Sequence, residues 1–201
     1  MKIGAIISEY NPFHNGHKYH IEQTRAAGVT HIAAVMSGNF TQRGDAAIYD
    51  KHVRARAALE NGIDLVIELP VRYSLMAAEG FARGAVEIVS ALGCVDTLSF
   101  GSESGDIEAL KEASRAIEFT AHTKEFDKLI KHGKSYPAAL HEAMLEYYTK
   151  DVAELIASPN NTLAIEYLSA LDNIASPIKP MTIKRLGADH DSDDEDVFIS
   201  A

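Results

Sequence analysis

Four short apolar runs, Ile3–Ile7, Ile32–Met36, Leu65–Leu69 and Val95–Phe100, return about every 30 residues. Between them lie helical patterns near Lys18–Ala27, Asp50–Asn61 and Met76–Leu92. Gly28, Gly62 and Gly93 follow these helices, at C′ positions that suit a helix-ending turn. A strand that is apolar throughout is buried on both faces, as strands of a parallel sheet are. Strand, helix, strand at this interval implies right-handed βαβ units. The expected fold is α/β: a Rossmann-like, doubly wound parallel sheet. The second half reads as mainly helical, with apolar residues at helical spacing in Ile107–Phe119, Thr123–His132, Pro137–Tyr148 and Pro159–Leu171. Ser158 before Pro159 reads as an N-cap with proline at the first helical position. Pro177 and Pro180 bracket an extended link into Met181–Leu186, a candidate last strand. One domain is expected over residues 1–201: a βαβ core at 1–105, a helical segment at 106–175, and a last strand with an acidic loop at 176–201.

In such a sheet ligands bind beyond the carboxyl ends of the strands. The first of those ends carries Glu9-Tyr10-Asn11-Pro12-Phe13-His14-Asn15-Gly16-His17, directly before a helix. A helix N-terminus presents unpaired N–H groups and about half a positive charge, so it can hold a nucleotide phosphate. Gly16 has no Cβ and lets a nucleotide lie close to the backbone. His14 and His17 stand at i, i+3 on one face of the first turn. Both can donate to phosphate oxygens, more strongly when charged. Pro12 stiffens the loop, and Asn11 and Asn15 suit turn or capping positions. The plainer alternative is a surface helix start that carries two histidines.

Other strand ends supply further polar residues. The loop Ser37–Gly44 follows the second run, which brings Gln42 and Arg43 to the same sheet edge as the histidine turn, either to face a bound ligand or as part of an ordinary polar loop. Gly101 and Ser102 end the fourth strand, where a simple turn is the competing account. Asn160 and Asn161 fall in the first turn of a helix, able to read adenine or ribose edges or merely to cap. Arg185 follows Lys184 near the end of the last strand, either neutralising a leaving pyrophosphate or forming a surface basic pair. Glu9, Glu68 and Glu103 all stand at strand ends, and any one of them can position Mg²⁺ through water. The metal ligands stay open. A zinc site from His14, His17 and His20 is disfavoured, since the three do not easily share one helix face. No G-x-x-x-x-G-K-[ST] sequence occurs, which excludes a P-loop.

Composition sets limits on function. At 46% hydrophobic the chain suits a globular protein, and no apolar run reaches the roughly 20 residues of a membrane span. Met1–Ile7 is too short for a signal segment. Cys94 is the single cysteine, which fits a reducing cytoplasm, and its apolar surroundings suggest a buried side chain. The net charge of −10 weighs against a strongly nucleic-acid-binding face. Asp191, Asp193, Asp194, Glu195 and Asp196 form an expected solvated loop, and without them the charge is still about −5.

His14-Asn15-Gly16-His17 after a first strand resembles the HIGH-type nucleotidyltransferase superfamily, which includes class I aminoacyl-tRNA synthetases. The longer string Glu9–His17 with Tyr19 and His20 is similar to the bacterial tRNA(Met) cytidine acetate ligase family. Further matches, in the family's order, are Ser37-Gly38-Asn39-Phe40-Thr41-Gln42-Arg43-Gly44, Phe100-Gly101-Ser102-Glu103, Ser158-Pro159-Asn160-Asn161 and Lys184-Arg185. The resemblance implies that ATP activates acetate to acetyl-adenylate, and that the wobble cytidine of elongator tRNA(Met) takes the acetyl group. It implies ATP contacts from Ile7, Ser8, Glu9, Tyr10, Asn11, Pro12, Phe13, His14, Asn15, Gly16, His17, Lys18, Tyr19 and His20. Gly101, Asn160 and Arg185 are implied as further contacts, with His14, His17 and Arg43 catalytic and Mg²⁺ as a companion ion. Asp45-Ala46-Ala47 departs from the family, which usually has proline near Ala46. Family members run about twice this length, and Phe198–Ala201 corresponds to the start of a later family element, so the chain is expected to be an N-terminal part. Two alternatives stay open: a small-molecule adenylyltransferase, or an ATP-binding fragment that is not catalytic alone.

Overall fold

Strands β1 (Ile3–Ser8), β2 (His31–Ser37), β3 (Leu65–Leu69), β4 (Thr97–Ser102) and β5 (Lys179–Lys184) form one parallel sheet in the order β3-β2-β1-β4-β5. A computed structural model describes residues 1–185. Leu186 and the acidic cluster lie outside the described residues. β1 is central, and its Gly4–Ile7 stretch is buried, as an apolar run in a parallel sheet requires. Its neighbours are set by register: Ile6 lies beside Ala34 of β2 and Ser99 of β4.

Helices α1 (Asn15–Ala26) and α2 (Lys51–Glu60) cover one face. Ile21 and Ala58 pack there with Ile6, Ile32 and Met36. The other face is covered by α4 (Ala78–Ala91), α5 (Ile107–Thr120) and α9 (Pro159–Asn173). Phe81, Val86, Leu110, Leu168 and Leu171 join Ile7, Leu98 and Phe100 in the larger core. α6 (Lys124–Lys131), α7 (Tyr136–Tyr147) and α8 (Lys150–Glu154) extend that side, and a 3-10 turn at Leu155–Ala157 leads into α9. The chain therefore winds outward from β1 on one face and from β4 on the other. The crevice between β1 and β4 is the switch point where such folds place ligands.

Several sequence expectations need correction. The helix expected over Met76–Leu92 is α4, and a short helix not expected from the sequence, α3 (Val71–Ser74), precedes it. The break between them lets Tyr73 fold back onto α4, where a Cβ on Gly84 would come within 2.2 Å of its ring. Strand β4 starts at Thr97 rather than Val95, and β5 starts at Lys179 and contains Pro180. Proline is tolerated because β5 is an edge strand. Cys94 is exposed, not buried: Gly93 turns the chain outward with φ +67°, and Val95 is the residue that points inward. Gly28 and Gly62 also have positive φ, as helix-ending glycines do. No helix among the described residues is long and apolar enough to cross a membrane.

Candidate functional site

The loop leaving β1 is held from below. Tyr10 adopts φ +49°, a left-handed conformation that is rare without glycine, and its ring is 1% exposed. That ring meets His17 edge-on at 4.9 Å and Phe13 at 5.2 Å. Ser8 Oγ accepts from the Tyr10 N–H at 3.3 Å, and the Asn11–Pro12 peptide bond is cis. Asn11 Oδ1 accepts from the Ile48 N–H at 2.7 Å, so this loop is tied to the one after β2.

His14, and neither asparagine, caps α1. Its Nδ1 accepts from the Gly16 N–H at 3.1 Å, and His17 Nδ1 accepts from the His14 N–H at 3.3 Å. This reciprocal box fixes both tautomers. With each Nδ1 an acceptor, each Nε2 carries the proton. The two rings stack at 3.7 Å. Burial, followed by the Arg185 charge, lowers the His14 pKa. Burial, then His14, His20 and Arg185, lowers that of His17 to about 3. The pair is therefore neutral at physiological pH, not charged, and offers two N–H donors from an uncharged cap.

His20 carries the same tautomer, but here the protein uses the Nε2–H. Thr24 Oγ1 donates to His20 O at 2.8 Å, so its 2.7 Å contact with Ser99 Oγ must have the serine as donor. Ser99 Oγ then accepts from His20 Nε2 at 2.8 Å. His20 keeps Nδ1 as an acceptor, and burial with Arg185 lowers its pKa to about 4. Among the described residues no three His, Cys, Asp or Glu side chains converge as metal ligands.

Two polar devices hold the neighbouring loops. Arg54 of α2 is 1% exposed. Its guanidinium donates to Glu9 O, Gly38 O, Ser37 O and Tyr49 O, so one buried cation joins the ends of β1 and β2. Glu9 Oε1 accepts from the Gln42 N–H at 2.6 Å, joining the same loops again. The loop carrying Arg43 is a tight turn, with Phe40 bridged to Ala46 and Thr41 N–H bonded to Asp45 O at 2.9 Å. On the far side, Glu103 caps α9 in place of Ser158. Its carboxylate accepts from the N–H groups of Asn160 at 3.2 Å and Asn161 at 2.7 Å, and from Asn160 Nδ2 at 2.7 Å. Asn161 Oδ1 accepts from the Ser104 N–H at 3.1 Å, and Arg185 approaches Asn160 Oδ1 at 3.4 Å.

These parts surround a cleft of about 470 Å³. Its border includes Ile7, Ser8, Glu9, Tyr10 and Asn11, and then His14, Gly16, His17, Tyr19 and His20. Gln42, Arg43, Gly101, Glu103, Asn160, Lys184 and Arg185 are further sequence-derived residues found there. Pro12, Phe13, Asn15 and Lys18 do not line it. Phe13 packs into the smaller core, while Asn15 and Lys18 face outward on α1. Glu103 has both oxygens committed to α9, and Glu68 pairs with Lys51 at 2.6 Å. Glu9 is thus the carboxylate at the cleft with an oxygen to spare. Sequence reasoning missed Arg54 and the apolar wall of Phe81, Leu163 and Tyr167. Asn160, Leu163 and Tyr167 at i, i+3, i+7 were a readable stripe, but one that ordinary core packing also explains.

The family profile described as HIGH Nucleotidyl Transferase matches residues 1–201. A curated tRNA(Met) cytidine acetate ligase of Acetivibrio thermocellus is 45% identical over 206 aligned positions, covering 100% of this chain and 50% of the relative. One from Halothermothrix orenii is 44% identical, covering 96% and 48%. The chain spans about half the length of the curated relatives it matches. A crystal structure of Thermotoga maritima TmcAL bound with alpha-thio ATP is 40% identical, with TM-score 0.85 over 96% of this chain and 48% of that one.

Proposed function

The chain belongs to the HIGH nucleotidyl transferase family, and from that premise we propose that its cleft binds ATP and activates acetate for transfer to the wobble cytidine of elongator tRNA(Met). The observation that carries the reading is the neutral His14–His17 cap, which leaves two N–H donors over Gly16 at a helix N-terminus. The relatives' names and the alpha-thio ATP in the similar crystal structure support ATP as the nucleotide and tRNA as the acceptor.

An acetate oxygen attacks the α-phosphorus; the bond to the β-bridging oxygen breaks and pyrophosphate leaves with the electron pair. The cytidine amine then attacks the acetyl carbon, AMP departs and the amine loses a proton. The protein needs no covalent nucleophile. His14, His17 and Arg43 stabilise phosphate charge, and the Asn160–Arg185 end holds the nucleoside. Mg²⁺ fits as an ion held mainly by phosphates, with Glu9 the protein carboxylate in reach, and it would supply further charge neutralisation. ATP and tRNA as partners support a cytoplasmic location.

The test is incubation of the full-length protein with labelled acetate, ATP and elongator tRNA(Met), followed by nucleoside analysis. Labelled acetylcytidine supports the proposal. AMP transfer to a phosphate ester without acetate would assign a small-molecule adenylyltransferase instead. The net charge of −10 favours a second reading for this part of the protein, a nucleotide-binding piece whose tRNA surface lies elsewhere. Normal ATP binding with weak tRNA binding by residues 1–201 is the result expected on that reading.

A further inference from the structure

The cleft has a floor that phosphate chemistry does not use. Tyr167 lies about 10 Å beyond Asn160 along α9, at about 1.5 Å per residue. Around it stand Leu163, Ile7 of β1, Phe81 of α4 and Phe100 of β4. The Tyr167 and Phe100 ring centroids are 5.7 Å apart. Tyr167 and Phe81 are each 2% exposed and Phe100 3%, so the opening between them is narrow.

Two phenols border this region without hydrogen-bond partners among the described residues. The Tyr10 hydroxyl is fully buried and unpaired. Tyr167 also lines the cleft, and no partner for its hydroxyl is found. Buried tyrosine hydroxyls ordinarily find an acceptor. Burial, then Glu9, raises the Tyr167 pKa far above the usual phenol range, so the group stays a donor. The Tyr167 hydroxyl, unlike that of Tyr10, is not sealed in the core, so a ligand oxygen in the cleft is an acceptor it can meet. An adenine ring needs donors and acceptors at its edge and a wide slot. Asn160 and Arg185 supply such edges at the rim, whereas the floor supplies a small apolar seat with one donor.

We propose that this floor is the acyl seat, with Phe81 and Leu163 against the alkyl end of a small carboxylic acid and the Tyr167 hydroxyl donating to its carboxylate. Tyr167 is then a specificity-determining residue. This rests on the acyl-adenylate reading above. The test uses pyrophosphate exchange by the full-length protein with acetate and ATP varied separately. Tyr167→Phe raises the acetate KM about tenfold or more, the scale of a lost hydrogen bond to a charged oxygen. It leaves the ATP KM unchanged and does not lower the melting temperature, because the deleted hydroxyl has no protein partner. Leu163→Ala shifts preference from acetate towards propionate and butyrate. A raised ATP KM with unchanged acetate KM in Tyr167→Phe would overturn the proposal by seating the base on the floor. No change in either constant would overturn it by removing ligand from the floor. Wild-type exchange that ignores acetate would instead overturn the acyl-adenylate reading, and this proposal with it.

Discussion

Two helices, α1 and α9, point their N-termini at one cleft, and the protein caps them in opposite ways. At α1 the caps are neutral histidine nitrogens, and the side chains turn their remaining N–H groups away from the helix. At α9 the cap is the Glu103 carboxylate, which takes two backbone N–H groups and the Asn160 amide. Both termini carry the same partial positive charge. One is satisfied without adding negative charge, which keeps it open to an anion. The other already holds an anion, which fixes Asn160 in place. On the proposed reading, the difference suits phosphate at the α1 end and the nucleoside at the α9 end.

The largest expected effect comes from separating capping from donation at α1. Asparagine is a good N-cap, so His14→Asn keeps the acceptor for Gly16 and loses the imidazole Nε2–H. Acetate-dependent pyrophosphate exchange by the full-length protein should fall at least about 100-fold, while the melting temperature holds. His17→Ala should lose as much activity and some stability as well. Exchange that survives both changes removes the phosphate from α1.

A smaller effect is expected at α9. Glu103→Ala strips the cap and costs about 1–2 kcal/mol in urea unfolding. ATP affinity should drop about tenfold as Asn160 loses its anchor. If α9 were the phosphate site, deleting the carboxylate would free it, and ATP or pyrophosphate would bind more tightly. That outcome reverses the comparison.

Much of this arrangement was legible because it is local. Ile3–Ile7 had to be a buried strand, and a strand running straight into His14-Asn15-Gly16-His17 had to place those residues at the sheet edge. What stayed illegible depends on pairing across the chain. The Glu103 cap joins residues 57 and 58 apart in sequence. Arg54 reads as an ordinary helix cation until its 45-residue link to Glu9 O is seen. Tyr167 and Phe81 read as core because they are core, and only the two facing elements together make them a cleft floor. The histidine charge was misjudged for a related reason: burial and mutual repulsion are tertiary facts, invisible in an i, i+3 spacing.

The histidine cap, with His20 beside it, also leaves a pH signature. His17 and His20 titrate near 3 and near 4 in the folded chain, against about 6.5 when exposed. Between those values the unfolded chain binds more protons than the folded one. Their contribution to stability is therefore full above about pH 6.5 and is lost as the pH falls through that window. The loss approaches about 1.4 kcal/mol per pH unit for each histidine. Urea unfolding at pH 7, 6 and 5 measures it. His17→Asn should flatten the slope by about one histidine's share, whereas Asn160→Ala, which removes no titrating group, should leave it unchanged. Equal slopes in wild type and His17→Asn would mean that His17 is not held neutral, and the contrast between an uncharged and a charged cap would fail at its root.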